Sequence, residues 1–329
     1  AAGDAVAGIA RPTWRRAGED ALAPALEASM LDYPHVPERS VLLPARTRLV
    51  PVALRSLAGQ RWRVGYVEGT GDEVASSLTE AGMDVVPLEL ASLGGDLSGY
   101  DAIVVGVRAF NRWPELDARH AALMAYVERG GTLIVQYQTV NRLESLRGPI
   151  GPAPLTIGRG RVTDQNAAVE LLAPEHPALR TPHEIGPADF EGWVQERGLY
   201  FAESWDAAYT PLLRIADPGE EPADGALLVA AHGEGHFVYA GLSFFRQLPA
   251  GTAGAYRLFE NLVALGTPSS QASSSDVAIT APLRATPDAR AIDEQDPPPF
   301  GTWRGIYLGV AWLLVGFMVL FFWLSRRFG

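Results

Sequence analysis

From Arg63 onward, short apolar runs alternate with amphipathic stretches. Residues 64–67, 84–88, 100–107 and 132–136 are near-continuous apolar runs bounded by glycine or polar turns, the pattern of strands buried on both faces. Between the first two, Asp72 and Glu73 open a helix that runs through Val74 and Leu78 to Ala81 and ends at Gly82. Between the last two, Pro114 starts a helix whose Leu116, His120, Leu123 and Val127 share a face, and Gly130-Gly131 ends it. Strand, helix, strand, strand, helix, strand with short links predicts an α/β fold with a doubly wound parallel sheet. Residues 141–181 read as Gly-, Pro- and Arg-rich loops. Residues 211–216 and 226–231 read as strands, and the His232-Gly-Glu-Gly-His236 turn leads into a returning strand over 237–242. A helix over 254–265, with Leu258, Phe259 and Leu262 inward, closes the domain at Gly266.

The pattern changes at both ends. Residues 305–324 carry no charge, no proline and no polar face. At about 1.5 Å per residue, such a run spans the roughly 30 Å of bilayer hydrocarbon as one helix. Trp303, Tyr307 and Trp323 suit the two headgroup layers, and Arg326 with Arg327 marks the cytoplasmic end. Gly305, Gly309 and Gly316 fall near one side of that helix, where another helix could approach closely. The Ser-, Pro- and Asp-rich residues 267–302 form an extended linker. Residues 1–60 read as an extended arm, broken by Pro34, Pro37, Pro44 and Pro51. Within the arm, a short helix over 20–30 would place Leu22, Leu26 and Met30 on one side, and residues 40–43 and 48–54 are candidate strands. The expected organisation is therefore arm 1–60, α/β domain 61–266, linker 267–302, transmembrane helix 303–325 and cytoplasmic end 326–329.

Charge and composition narrow the function classes. The net charge is −11 and every basic residue is arginine. An acidic chain without an arginine stripe excludes nucleic acid as a partner. The absence of cysteine excludes disulfides, thiolate metal sites and cysteine nucleophiles. Ala-Ala-Gly-Asp at the start reads as an end left by signal peptidase, which agrees with an exported body. The expected placement is a single pass in a bacterial inner membrane, with the body periplasmic and the C-terminus cytoplasmic.

Four blocks carry a family resemblance: Gly65-Tyr-Val-Glu-Gly-Thr-Gly-Asp-Glu-Val74, Tyr100-Asp-Ala-Ile-Val-Val-Gly-Val-Arg-Ala-Phe-Asn111, Glu191-Gly-Trp-Val-Gln-Glu-Arg-Gly-Leu-Tyr-Phe201 and Gly241-Leu-Ser-Phe-Phe-Arg-Gln-Leu-Pro249. They resemble the C-terminal, class I glutamine-amidotransferase-like region of bacterial PIG-L (LmbE-like) deacetylases, over about residues 61–266. The resemblance implies a flavodoxin-like core. It brings no deacetylase activity, because the His-Pro-Asp-Asp-Glu type zinc motif of that family's separate N-terminal domain has no counterpart. The only His-Pro pair, His176-Pro177, is followed by Ala178 and Leu179. Glutaminases of this fold place a cysteine on the turn after the fourth strand, and here that turn reads Gln136-Tyr137-Gln138. None of these three is an effective nucleophile at neutral pH.

Several constellations remain. His232 and His236 stand four apart, a zinc spacing on a helix, but the intervening glycines make this a turn. Gly69-Thr-Gly71 before a helix is a truncated phosphate fingerprint, with Asp72 and Glu73 where an anion would sit. Glu191, Trp193, Glu196 and Tyr200 could form a sugar-binding or acid/base surface. Arg108, Asn111 and Arg112 follow the third strand, at the edge where doubly wound folds bind ligands. No pattern calls for a cofactor or a metal. The function these readings point to is a non-catalytic, membrane-anchored accessory subunit. Its partners would be the lipid bilayer and other membrane subunits, reached through the transmembrane helix and the arm. A respiratory or photosynthetic complex is a host by analogy. The alternatives are a carbohydrate- or envelope-binding module beside a separate deacetylase, and a hydrolase with a relocated site.

Overall fold

Strands buried on both faces need cover on both sides, and that requirement organises the domain. A computed structural model describes residues 8–10, 13–14, 23–33, 36–45, 47–49, 52–140 and 146–266. The expected linker, the apolar run with Gly305, Gly309 and Gly316, and the interface residues Trp303, Tyr307, Trp323, Arg326 and Arg327 lie outside the described residues. Among the described residues no helix is long and apolar enough to cross a membrane.

The fold is mixed α/β around a seven-stranded, largely parallel sheet. Its strands are β1 (Arg63–Val67), β2 (Asp84–Pro87), β3 (Ala102–Val105), β4 (Thr132–Gln136), β5 (Tyr209–Pro211), β6 (Leu227–His232) and β7 (Gly235–Ala240), in the order β5-β6-β7-β4-β3-β1-β2. Strands β2, β1, β3, β4 and β7 are parallel, while β6 and β5 add an antiparallel edge. The helices are α1 (Val74–Glu80), α2 (Ala109–Arg112), α3 (Glu115–Glu128), α4 (Pro177–Arg180), α5 (Phe244–Gln247) and α6 (Ala253–Val263). Val64, Val104 and Ile134 pack with Leu78 of α1 and Leu258, Phe259 and Leu262 of α6. Ile103, Val105, Leu133 and Val135 pack with Leu116, Leu123 and Val127 of α3. Each such side chain stabilises the fold by roughly 1.5–3 kcal/mol through burial. After β2 the chain returns past β1 to lay down β3. The loops after β1 and β3 therefore leave neighbouring strands at the carboxyl edge of the sheet, the edge where doubly wound folds bind ligands.

The structure differs from the pattern in four places. The helix expected over 20–30 is replaced by strands Ala23–Pro24 and Leu26–Tyr33, the latter paired with Val36–Pro44. A spacing of four satisfies the strand period of two as well as the helical one, so Leu26 and Met30 share a face either way, and the partner strand decides. Of the expected strand over 48–54, the described residues hold a strand at Thr47–Leu49 and none over 52–54. The described part of the loop region 141–181 holds strands Leu155–Ile157, Arg161–Val162 and Val169–Leu171 and the helix α4. Those strands pair with Ala202–Trp205, Gly198–Leu199 and Leu213–Ile215, partners far along the chain that no local pattern announces. Residues 211–216 accordingly split, Tyr209–Pro211 joining the main sheet and Leu213–Ile215 pairing with Val169–Leu171.

Candidate functional site

The loops after β1, β3 and β4 meet at the carboxyl edge. A Cβ on Gly69 would lie 2.1 Å from the Val107 carbonyl oxygen, and one on Gly106 would lie 2.7 Å from the Gly69 nitrogen, so both positions need glycine. The Thr70 N–H donates to the Val107 carbonyl at 2.8 Å. Asp72 closes the junction: its carboxylate accepts the N–H groups of Val74 at 3.1 Å and Val107 at 3.3 Å, and the Tyr66 hydroxyl donates to it. The Gln136 amide donates to that hydroxyl at 3.2 Å, while the other Gln136 side-chain atom, Oε1, is buried with no partner. Burial pushes the Asp72 carboxyl up, against the pull of its donors, and pushes the Tyr66 phenol well up, with the Asp72 charge adding to it. Beside the Gly69-Thr-Gly71 loop the Asp72 carboxylate takes the N–H of Val74, the first residue of α1, and that of Val107 on the facing loop, while the Thr70 N–H goes to the Val107 carbonyl.

Arg108, Asn111 and Arg112 come together at this edge and fasten its loops. Arg108 has φ 58°, a left-handed conformation rare for a residue with a Cβ. Its N–H donates to the Tyr137 carbonyl at 3.0 Å and its Nε to the Thr139 hydroxyl at 3.3 Å. Asn111 takes the Thr139 N–H and donates to the Thr139 carbonyl, both at 2.9 Å, so its carboxamide is spent on backbone. Arg112 donates to the Gly69 carbonyl at 2.7 Å, lies 3.6 Å from the Glu68 carboxylate and covers the Trp113 ring. On the turn after β4, Gln138 accepts the Phe110 N–H at 2.9 Å and donates to the Gln136 carbonyl at 2.8 Å.

The other expected constellations separate. Trp193 is 2% exposed. Its indole N–H donates to the Asp189 carbonyl at 2.9 Å, and its ring packs with Phe190 and Phe244 beneath the Arg197 guanidinium. Its aromatic face is part of the core, not a platform for a ligand. Glu191 is exposed on the surface. Of that group, Glu196 and Tyr200 reach an aromatic cluster beside the β4 turn: Tyr200 stacks on Tyr137, Phe245 tilts against Tyr137, and Glu196 accepts from Arg246 Nε at 2.9 Å. Burial raises the Tyr137 phenol, opposed by the nearby charges of Arg108 and Arg246. Sequence pattern did not single out Phe245 and Arg246, although both fall inside one of the four family-like blocks. His232 and His236 sit on paired strands, and burial lowers the His236 pKa. Among the described residues no three His, Asp or Glu side chains gather as a metal site.

A second buried acid was equally silent in the sequence. Glu260 of α6 is fully buried. It accepts the N–H groups of Arg55 at 2.9 Å and Ser56 at 2.7 Å, the Trp62 indole N–H at 2.9 Å, and pairs with His183 at 2.5 Å. Burial alone would raise the Glu260 pKa, but the His183 bond and charge and the backbone donors hold it below the usual range.

No protein-family model matches the chain, and no curated protein matches it. Among solved structures, the chain is similar to a putative GMP synthase component from Thermoplasma acidophilum, at 10% identity and a TM-score of 0.41, over 63% of this chain and 94% of that one. It is also similar to a β-galactosidase from Rahnella sp. R3, at 14% identity and a TM-score of 0.38, over 62% of this chain; it spans 31% of that enzyme's length.

Proposed function

We propose that this chain is a non-catalytic accessory subunit: a flavodoxin-like, amidotransferase-like body that a C-terminal helix anchors in a bacterial inner membrane and that docks onto other membrane subunits. The observation that carries this reading is the turn after β4. Where glutaminases of this fold need a thiolate, Gln136, Tyr137 and Gln138 stand, and the Gln138 carboxamide is bound to the Phe110 and Gln136 backbone. The strand order β2-β1-β3-β4-β7 supports the flavodoxin-like part of the reading. The loop bonds of Asp72, Asn111 and Gln138 support the non-catalytic part, because they leave that junction committed to its own backbone. The anchor rests on the uncharged run of residues 305–324.

Purification of the full chain from its native membrane in mild detergent, followed by native mass measurement, tests it. The expected result is a stable complex with other membrane subunits. A lone monomer, or turnover of glutamine or acetylated sugars by the clean protein, would overturn it.

A further inference from the structure

The aromatic cluster beside the β4 turn holds three sets of unspent donors. Tyr137 and Tyr200 stack with centroids 5.6 Å apart and planes 13° apart. Neither hydroxyl has a hydrogen-bond partner among the described residues, and neither is sealed from solvent. Arg246 lies over the Phe245 ring at 4.7 Å, and Phe245 meets Tyr137 at 5.2 Å. Only Nε of Arg246 is engaged, by Glu196, and its two terminal nitrogens donate to no described residue. The backbone around the cluster is strained. The non-glycine residues with positive φ among those described are Arg108, Gln195 and Tyr200. The first donates its N–H to the Tyr137 carbonyl, the second precedes Glu196, and the third is the stacking partner itself. Strain of this kind persists where the surrounding structure imposes it, and it collects at ligand sites.

We propose that this cluster is a binding site for an acidic saccharide, a hydroxylated ring bearing a carboxylate. The open fork of Arg246 matches a carboxylate in two parallel bonds. The two phenols each offer a donor and an acceptor to ring hydroxyls, and the half-buried faces of Tyr200 and Phe245 supply the apolar contact that sugar C–H groups use. Glu196 holds the guanidinium in place from the other side. In a chain of net charge −11, an anion needs such a local cation to approach. The site is independent of the accessory role above, since it needs no partner subunit.

Calorimetric titration of the detergent-solubilised full chain with a galacturonic acid trimer, against a neutral galactose trimer, tests the proposal. The uronate should bind and the neutral trimer should bind at least about tenfold more weakly. Tyr137→Phe and Tyr200→Phe should each weaken uronate binding roughly 3- to 10-fold while the thermal midpoint stays put, because these hydroxyls hold nothing in the protein. Arg246→Gln should weaken it by more than about tenfold. Absence of uronate binding, equal binding of the neutral trimer, or unchanged affinity in both tyrosine variants would each overturn the assignment.

Discussion

Glu260 and Asp72 are both carboxylates enclosed by donors, yet they are tuned in opposite directions. Glu260 sits at 0% exposure with four donors, one of them the imidazole of His183, and its pKa is held down. Asp72 has three donors, two backbone N–H groups and a phenol, and burial drives its pKa up. At Asp72 the neutral donors do not offset the loss of water around the anion, and the Glu68 charge adds to the rise; at Glu260 the bond and charge of His183, with the backbone donors, outweigh that loss. The two acids therefore do different things. Glu260 ties Arg55, Ser56, Trp62 and His183 to α6 with its charged form favoured, while Asp72 locks loops at the carboxyl edge of the sheet with its charged form disfavoured.

Glu260→Ala tests the clamp most severely. It strips four donors of their acceptor inside the core and should cost about 3–5 kcal/mol, read as a drop in the urea midpoint. Asp72→Asn can keep one oxygen for both the Tyr66 hydroxyl and the Val74 N–H, but it then places an NH2 against the Val107 N–H. It should cost about 1–3 kcal/mol, with the largest loss of hydrogen-exchange protection at Val107.

Stability measured against pH separates the two acids by sign. Glu260, with its folded pKa lowered, contributes stability that is present above the ordinary glutamate value and lost as pH falls through the folded value. Asp72, with its folded pKa raised, contributes in the opposite sense. Its share is full below the ordinary aspartate value and is lost as pH rises through the folded one. Glu260→Gln should flatten the acid limb of the curve, and Asp72→Asn should flatten the decline above it. Two variants with the same slope change would show that the charges are not tuned apart. Gln136→Leu should move stability least, within about 1 kcal/mol. It removes a buried oxygen that bonds nothing while Tyr66 keeps its bond to Asp72, and equilibrium unfolding would register it.

Chain pattern alone made much of the domain legible. The apolar runs that became β1, β3 and β4 and the faces of α3 and α6 follow from local periodicity, because a strand or helix buries what its own repeat places on one side. The β6–β7 hairpin was readable from its Gly-Glu turn. At the carboxyl edge, the gathering of Arg108, Asn111 and Arg112 was legible, since strand ends in a parallel sheet share an edge. Their work was not, because the partners of Asn111 and Arg112 lie 28 and 43 positions away.

What only the tertiary structure decided is everything that depends on pairing between distant segments. Leu26 and Met30 obey two periods at once, and the neighbouring strand chose between them. Trp193 has the composition of a sugar platform, and its neighbours Phe190 and Phe244 drew it into the core. Glu260 looks like one polar residue on an amphipathic helix until Arg55, 205 positions earlier, arrives with its N–H. The free energy of burying a charge depends on which donors surround it in space. A one-dimensional pattern records the charge and its repeat but not that company.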